Sequence, residues 1–234
     1  MENKNLIVSL GKKYQENYLI RSLIQLLSVY GIGVGSAVDV AFVGIIEQMK
    51  KKRLETFFDE LAKGELKLTE EVIKSEDFVH RFIITLKAVA NERRQEKITF
   101  LARLLNNFPL AIGDEKLNDE YEMLLNILDE LDYREMYIIV TLYEYEKANP
   151  KADGINELQR ATKFWGDFEK NACKKLGINS SEFEGYMTRL SRTGLYKEIT
   201  GGYFDYTGGK GYLTDLLYKL AAYINAKSAD FSLN

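Results

Sequence analysis

Apolar residues recur at three- and four-residue spacing along most of this chain, a pattern that predicts helix nearly throughout. Ile20, Leu23, Ile24 and Leu27 make one stripe, and Met49–Leu61, which carries Lys50-Lys51-Lys52-Arg53 at its start, reads as a charged amphipathic helix. Thr69-Glu70-Glu71 opens a short helix, and Ser75 caps the next with Glu76 and Asp77 in its first turn, where carboxylates meet the positive end of the helix dipole. Phe78, Phe82, Leu86 and Val89 line that helix, and Ile98, Leu101, Leu104 and Leu105 extend the pattern past Arg93-Arg94. Asn118 is read as the cap of a further segment with Tyr121, Leu124, Leu125 and Leu128 in register. The loop Pro109-Leu110-Ala111-Ile112-Gly113-Asp114 interrupts the helical period and predicts a boundary. The expected organisation is a helical domain over 1–110, a connecting helix over 111–132, a second domain over 133–226 and a tail over 227–234.

The second domain has the most specific spacing. In ACKKLGINSSEFEGYMTRLSRTGLY, residues 172–196, Cys173 takes a small-residue position, Gly177 closes one helix at a site suited to positive φ, and Ile178 enters the core. Asn179-Ser180-Ser181 supplies the next N-cap, and Phe183, Met187 and Leu190 form one stripe. Gly194-Leu195 ends that helix. Leu195–Thr200 and Tyr203–Tyr206 alternate as strands about a Gly201-Gly202 turn, and Thr207–Gly211 forms a second glycine-rich bend. Tyr212-Leu213-Thr214-Asp215 then caps a helix carrying Leu216, Leu217, Leu220 and Ile224, while Met136, Ile139, Val140 and Tyr143 mark an earlier helix closed near Asn149-Pro150. Residues 133–226 resemble the winged-helix superfamily. The fold expected is therefore mainly α, a helical domain followed by a winged helix with a small β-hairpin wing. The amino-terminal half is similar, in general texture alone, to uncharacterised bacterial proteins of mobile elements.

Ser22–Val38 contains no charged residue and includes Gly31, Gly33 and Gly35. A spanning helix needs about 20 apolar residues, so this broken stretch reads first as a buried helical hairpin. Its small residues also suit close packing between subunits, and a membrane-inserting hairpin over 22–46, followed by the basic run, is a third reading. A dinucleotide loop is disfavoured because Ser36 stands where a third glycine belongs.

Charge narrows the partners. Residues 1–149 carry 20 basic and 25 acidic side chains, and 150–234 carry 12 and 10, far from the basic footprint of a dedicated nucleic-acid binder. One cysteine excludes an internal disulfide, the start of the chain lacks a secretory pattern, and a reducing cytoplasmic setting is expected. The single histidine, His80, reads as a surface residue beside Glu76, and Arg93, Arg94 and Arg103 as a solvated face paired with Glu92 and Glu96. Gly208-Gly209-Lys210 lacks the remaining residues of a phosphate loop and reads as a wing tip. No nucleophile, metal or cofactor motif emerges, so no enzyme, metal or cofactor is expected.

In winged helices that bind DNA, the second helix of the motif enters the major groove. Here its exposed residues are Ser180, Ser181, Glu182, Glu184, Gly185, Tyr186, Arg189 and Arg192, with Lys197 and Lys210 nearby. Two glutamates oppose the phosphate field. The resemblance and this acidic, tyrosine-bearing face together imply a regulatory protein making protein contacts or self-associating. A DNA-binding regulator and a membrane-associated effector are the alternatives.

Overall fold

The computed structural model describes residues 2–30, 40–64, 69–200 and 208–231. Gly31, Gly33 and Gly35, the Gly201-Gly202 turn and the strand expected over Tyr203–Tyr206 lie outside the described residues. The described chain is mainly helical with one small antiparallel sheet near the carboxyl end, and it divides into two compact units, 1–128 and 129–234.

The first unit contains α1 (Glu2–Lys13), α2 (Tyr18–Tyr30), α3 (Val40–Lys63), α4 (Glu70–Lys74), α5 (Glu76–Asn91), α6 (Gln95–Asn107) and most of α7 (Glu115–Glu130). The stripe Ile20, Leu23, Ile24 and Leu27 is buried, and α3, α5 and α6 close over Phe57, Phe58, Phe78 and Phe82. Phe57 and Phe58 meet edge-on at 5.4 Å, and Phe78 stacks on Phe82 at 6.1 Å, offset geometries that suit ring quadrupoles. Thr69 and Ser75 cap α4 and α5 through their hydroxyls.

Two expectations for this unit are corrected, those for Asn118 and His80. Asn118 sits inside α7, and Asp114 caps the helix by accepting Leu117 N at 3.2 Å. Asn118 instead accepts from Arg81 Nε at 2.7 Å and donates to Asp77 at 2.8 Å. Arg81 is 1% exposed, lies 5.1 Å from the Phe108 ring and also donates to Pro109 O at 2.8 Å. Gly113 N donates to Asp77 at 2.7 Å, so the Pro109–Asp114 loop is pinned within the first unit. His80 pairs with Glu122 of α7 at 2.9 Å, a residue 42 positions away, and not with Glu76. Arg103 pairs with Glu60 at 2.7 Å, while Glu92 takes Lys97 at 3.2 Å and the backbone N–H groups of Arg93 and Arg94.

The second unit is ordered α8 (Tyr133–Ala148), α9 (Glu157–Thr162), α10 (Trp165–Leu176), α11 (Ser180–Arg192), β1 (Tyr196–Glu198), β2 (Gly211–Leu213) and α12 (Asp215–Ile224), followed by a short 3-10 turn, Ser228–Asp230. Every residue from Met136 to Leu142 is buried, so α8 is the central helix of this unit. Asp132 and Glu135 form a capping box at its start, and Asn156 with Gln159, Asn179 with Glu182, do the same for α9 and α11. Gly177 adopts φ 63° between α10 and α11, and Gly194 adopts φ 76° after α11, the left-handed region open to glycine. The small residue buried on α10 is Ala172; Cys173 is only half-buried.

β1 and β2 pair antiparallel, with Tyr196 opposite Leu213 and Glu198 opposite Gly211. Residues 211–213 are thus a strand, and the cap of α12 falls on Thr214, which donates to Gly194 O at 2.6 Å. A side chain at 211 would strike the Tyr196 ring, which accounts for glycine there. Phe168 packs edge-on against Trp165 at 5.3 Å and Phe183 at 5.4 Å, joining α10 to α11. Glu146 of α8, 1% exposed, accepts from Leu213 N at 2.9 Å and Tyr218 Oη at 2.6 Å and meets Arg160 Nη2 at 3.1 Å. One carboxylate thereby ties α8, α9, β2 and α12 together. Burial and that hydrogen bond push the Tyr218 phenol up to about 12.

Candidate interaction surface

The exposed side of α11 starts from its cap. Asn179 accepts from Glu182 N, and the Glu182 carboxylate accepts from Asn179 N at 3.0 Å, which sets the first turn and aims Ser180 and Ser181 outward. Phe183, Met187 and Leu190 face the core. Helical periodicity then leaves Ser181, Gly185, Thr188 and Arg192 as the outward line, and all four are exposed. That line holds one cation and no long hydrogen-bonding side chain apart from Arg192.

Two predicted contact residues are already engaged. Arg189 donates through Nε to Glu135 Oε1 at 2.9 Å and through Nη2 to Oε2 at 3.2 Å, with Asp132 3.6 Å from Nη1. Glu135 is buried, its side chain 3% exposed against 54% for Arg189. The guanidinium is the counter-charge of a buried carboxylate, in the bidentate geometry that favours arginine. Tyr186 is half-buried and its hydroxyl accepts from Arg134 Nη1 at 3.1 Å. Both residues turn toward the start of α8, where Asp132, Arg134 and Glu135 join the site; the spelling DYRE is a capping-box signature that marks Glu135 in the sequence.

Lys210 lies away from this cluster, its Nζ donating to Thr162 Oγ1 at 3.3 Å. Gly208 and Gly209 before it adopt φ 104° and 86°, and Gly209 N donates to Glu198 at 3.2 Å. Of the predicted residues, Ser180, Ser181, Glu182, Gly185 and Arg192 remain on the open surface of α11, with Glu184 beside them.

Between α10, α11 and the β1–β2 pair runs a groove of about 450 Å³. It is lined by buried Trp165, Phe183, Met187 and Tyr196 together with Glu169, Glu184, Glu198, Thr188 and Gly208-Gly209-Lys210. Glu169 and Glu198 were not singled out in the sequence, because their proximity to Glu184 exists only after the hairpin folds against the helices. The local field is negative enough that burial and the carboxylates of Glu169 and Glu182 push the Cys173 thiol up. The whole unit carries 14 basic and 16 acidic residues.

Among the described residues no group of three His, Cys, Asp or Glu side chains is arranged to hold a metal ion, and no helix is long and apolar enough to cross a membrane. No protein-family model, curated protein or solved structure matches the chain.

Proposed function

We propose that residues 133–226 form a winged-helix-like module, with α8, α10 and α11 as its helices and the β1–β2 hairpin as its wing, used for contacts with protein, other copies of this chain included. The tight turn at Gly177, the left-handed Gly194 and the hairpin packed against α11 support the architecture. The observation that carries the partner class is the capture of Arg189 by buried Glu135. A duplex-reading surface needs its cations free, and here Arg189 neutralises a carboxylate while Lys210 is turned to Thr162. Arg192 and Lys197 are left near the outward face of α11. Each phosphate contact contributes a salt-dependence slope of about −0.9, so two such contacts support little affinity. The glutamates beside them oppose the phosphates further.

The test is fluorescence anisotropy of a labelled mixed-sequence duplex titrated with the full chain at about 0.15 M salt. The expected result is no saturation at micromolar protein, whereas exchanging Glu182 and Glu184 for lysine promotes duplex binding and alters the association seen by light scattering. Tight, salt-sensitive duplex binding by the unaltered protein would overturn the reading.

A further inference from the structure

The groove between α10, α11 and the hairpin combines concavity with unneutralised negative charge. Elsewhere in this unit the buried or half-buried carboxylates have partners: Glu146 has Arg160, Glu135 has Arg189, Glu157 has Lys151 and Arg160, and Glu144 takes Ser228 N and Oγ. Among the described residues Glu169, Glu184 and Glu198 make no ion pair, and Glu198 accepts from Gly209 N at 3.2 Å. The single cation on the wall, Lys210, directs its ammonium to Thr162. The edges of buried Trp165, Phe183, Met187 and Tyr196 complete the lining.

Resting on the protein-contact reading above, we propose that this groove receives a lysine- or arginine-bearing peptide segment of a partner protein. The chemistry is that of a long cationic side chain: an aliphatic stem lies along apolar surface while the charged head stays among carboxylates and water. At about 450 Å³ the groove has room for a long side chain between its carboxylates. Anionic partners are repelled by the same walls, so the surface selects by the sign of charge before any shape is read.

The experiment titrates the full chain against fluorescein-labelled short peptides of one composition in which lysine and arginine are kept, exchanged for glutamine, or exchanged for glutamate. The labelled duplex is run alongside at about 0.15 M salt. The basic peptide is expected to bind saturably and the other two are not. Glu169→Gln with Glu184→Gln should weaken it about tenfold, whereas Glu130→Gln with Asp153→Asn, which removes the same charge at exposed sites outside the groove, should change it by less than about twofold. Urea midpoints of both variants establish that they fold. Equal weakening by the two pairs, or no saturable basic-peptide binding, overturns this inference. If the duplex also fails to bind, only the groove assignment falls; if the duplex binds tightly, the protein-contact reading falls with it.

Discussion

Replacing Glu146 by alanine is the most severe single perturbation the second unit offers. The side chain is 1% exposed and satisfies Leu213 N, the Tyr218 hydroxyl and the Arg160 guanidinium together. Its loss strands a buried backbone N–H in the sheet, at about 1–3 kcal/mol, and leaves Arg160, 11% exposed, without its main counter-charge. Removing one partner of a buried pair costs about 3–5 kcal/mol. Tyr218 is 36% exposed and can turn to water, which places the expectation near the lower end, at about 3 kcal/mol. With a urea slope of about 1–3 kcal/mol per molar, the midpoint should fall by about 1–3 M. Trp165, the only tryptophan of the chain, is buried in this unit, so its fluorescence reads this transition selectively. Glu146→Gln retains an acceptor for Leu213 N but sets an NH2 group toward Tyr218 or Arg160, and should cost about half as much. Exchanging Glu146 for leucine and Arg160 for methionine together should recover much of the loss, because an apolar pair carries no desolvation penalty. A Glu146→Ala midpoint within about 0.3 M of the parent would refute the reasoning, since it corresponds to less than about 1 kcal/mol.

Three further expectations concern separate parts of the molecule. Gly194→Val should cost about 1–2 kcal/mol from backbone strain at φ 76°, because a Cβ there meets only Leu216 at an ordinary 3.6 Å; an unchanged urea midpoint would contradict the left-handed assignment. Arg189→Ala should cost about 1–2 kcal/mol by leaving buried Glu135 without its bidentate partner, whereas an exposed arginine awaiting a phosphate would be lost without effect on stability. The backbone N–H of Gly113, with Asn118, holds the Asp77 carboxyl below the usual range. The unfolded chain therefore takes up that proton first, the contribution is present above about pH 4 and is lost as pH falls through the folded value. Asp77→Asn should flatten the acid side of a far-UV circular dichroism stability profile, and an identical profile would count against the Gly113 contact.

Helix positions were readable because the buried stripes are regular and their ends are spelled by caps: Thr69, Ser75, Asn179, Gly177 and Gly194 serve at the termini their residue types predict. α9 is signalled only by the capping box Asn156-Glu157-Leu158-Gln159, because six residues are too few for an apolar period to emerge. β2 has only three residues, Gly211-Tyr212-Leu213, and acquires strand character from its pairing with Tyr196–Glu198, not from alternation. Asn118 suits a cap by residue type, yet its side chain is drawn to Asp77 and Arg81, both distant in sequence.

The candidate surface was legible as a helix face and illegible as an electrostatic one. Exposure of Ser180, Ser181, Glu182, Gly185 and Arg192 follows from period and cap. The engagement of Arg189 and Tyr186 does not, because Glu135 and Arg134 lie 54 and 52 residues away. Likewise Glu169, Glu184 and Glu198 stand on three different elements, and only tertiary structure gathers them around one groove.

The most direct test of the partner class is the dependence of duplex affinity on salt, measured for the full chain over a range of ionic strength low enough to detect binding. Of the four cations on or beside α11, Arg189 is bound to Glu135 and Lys210 donates to Thr162, which leaves Arg192 and Lys197 for phosphates at that face, and for binding through α11 the slope of log K against log salt should be no steeper than about −2. A slope of about −4 or steeper, reduced by about one unit in Arg189→Ala, would mean that Arg189 leaves Glu135 to hold DNA, and would contradict the protein-contact reading.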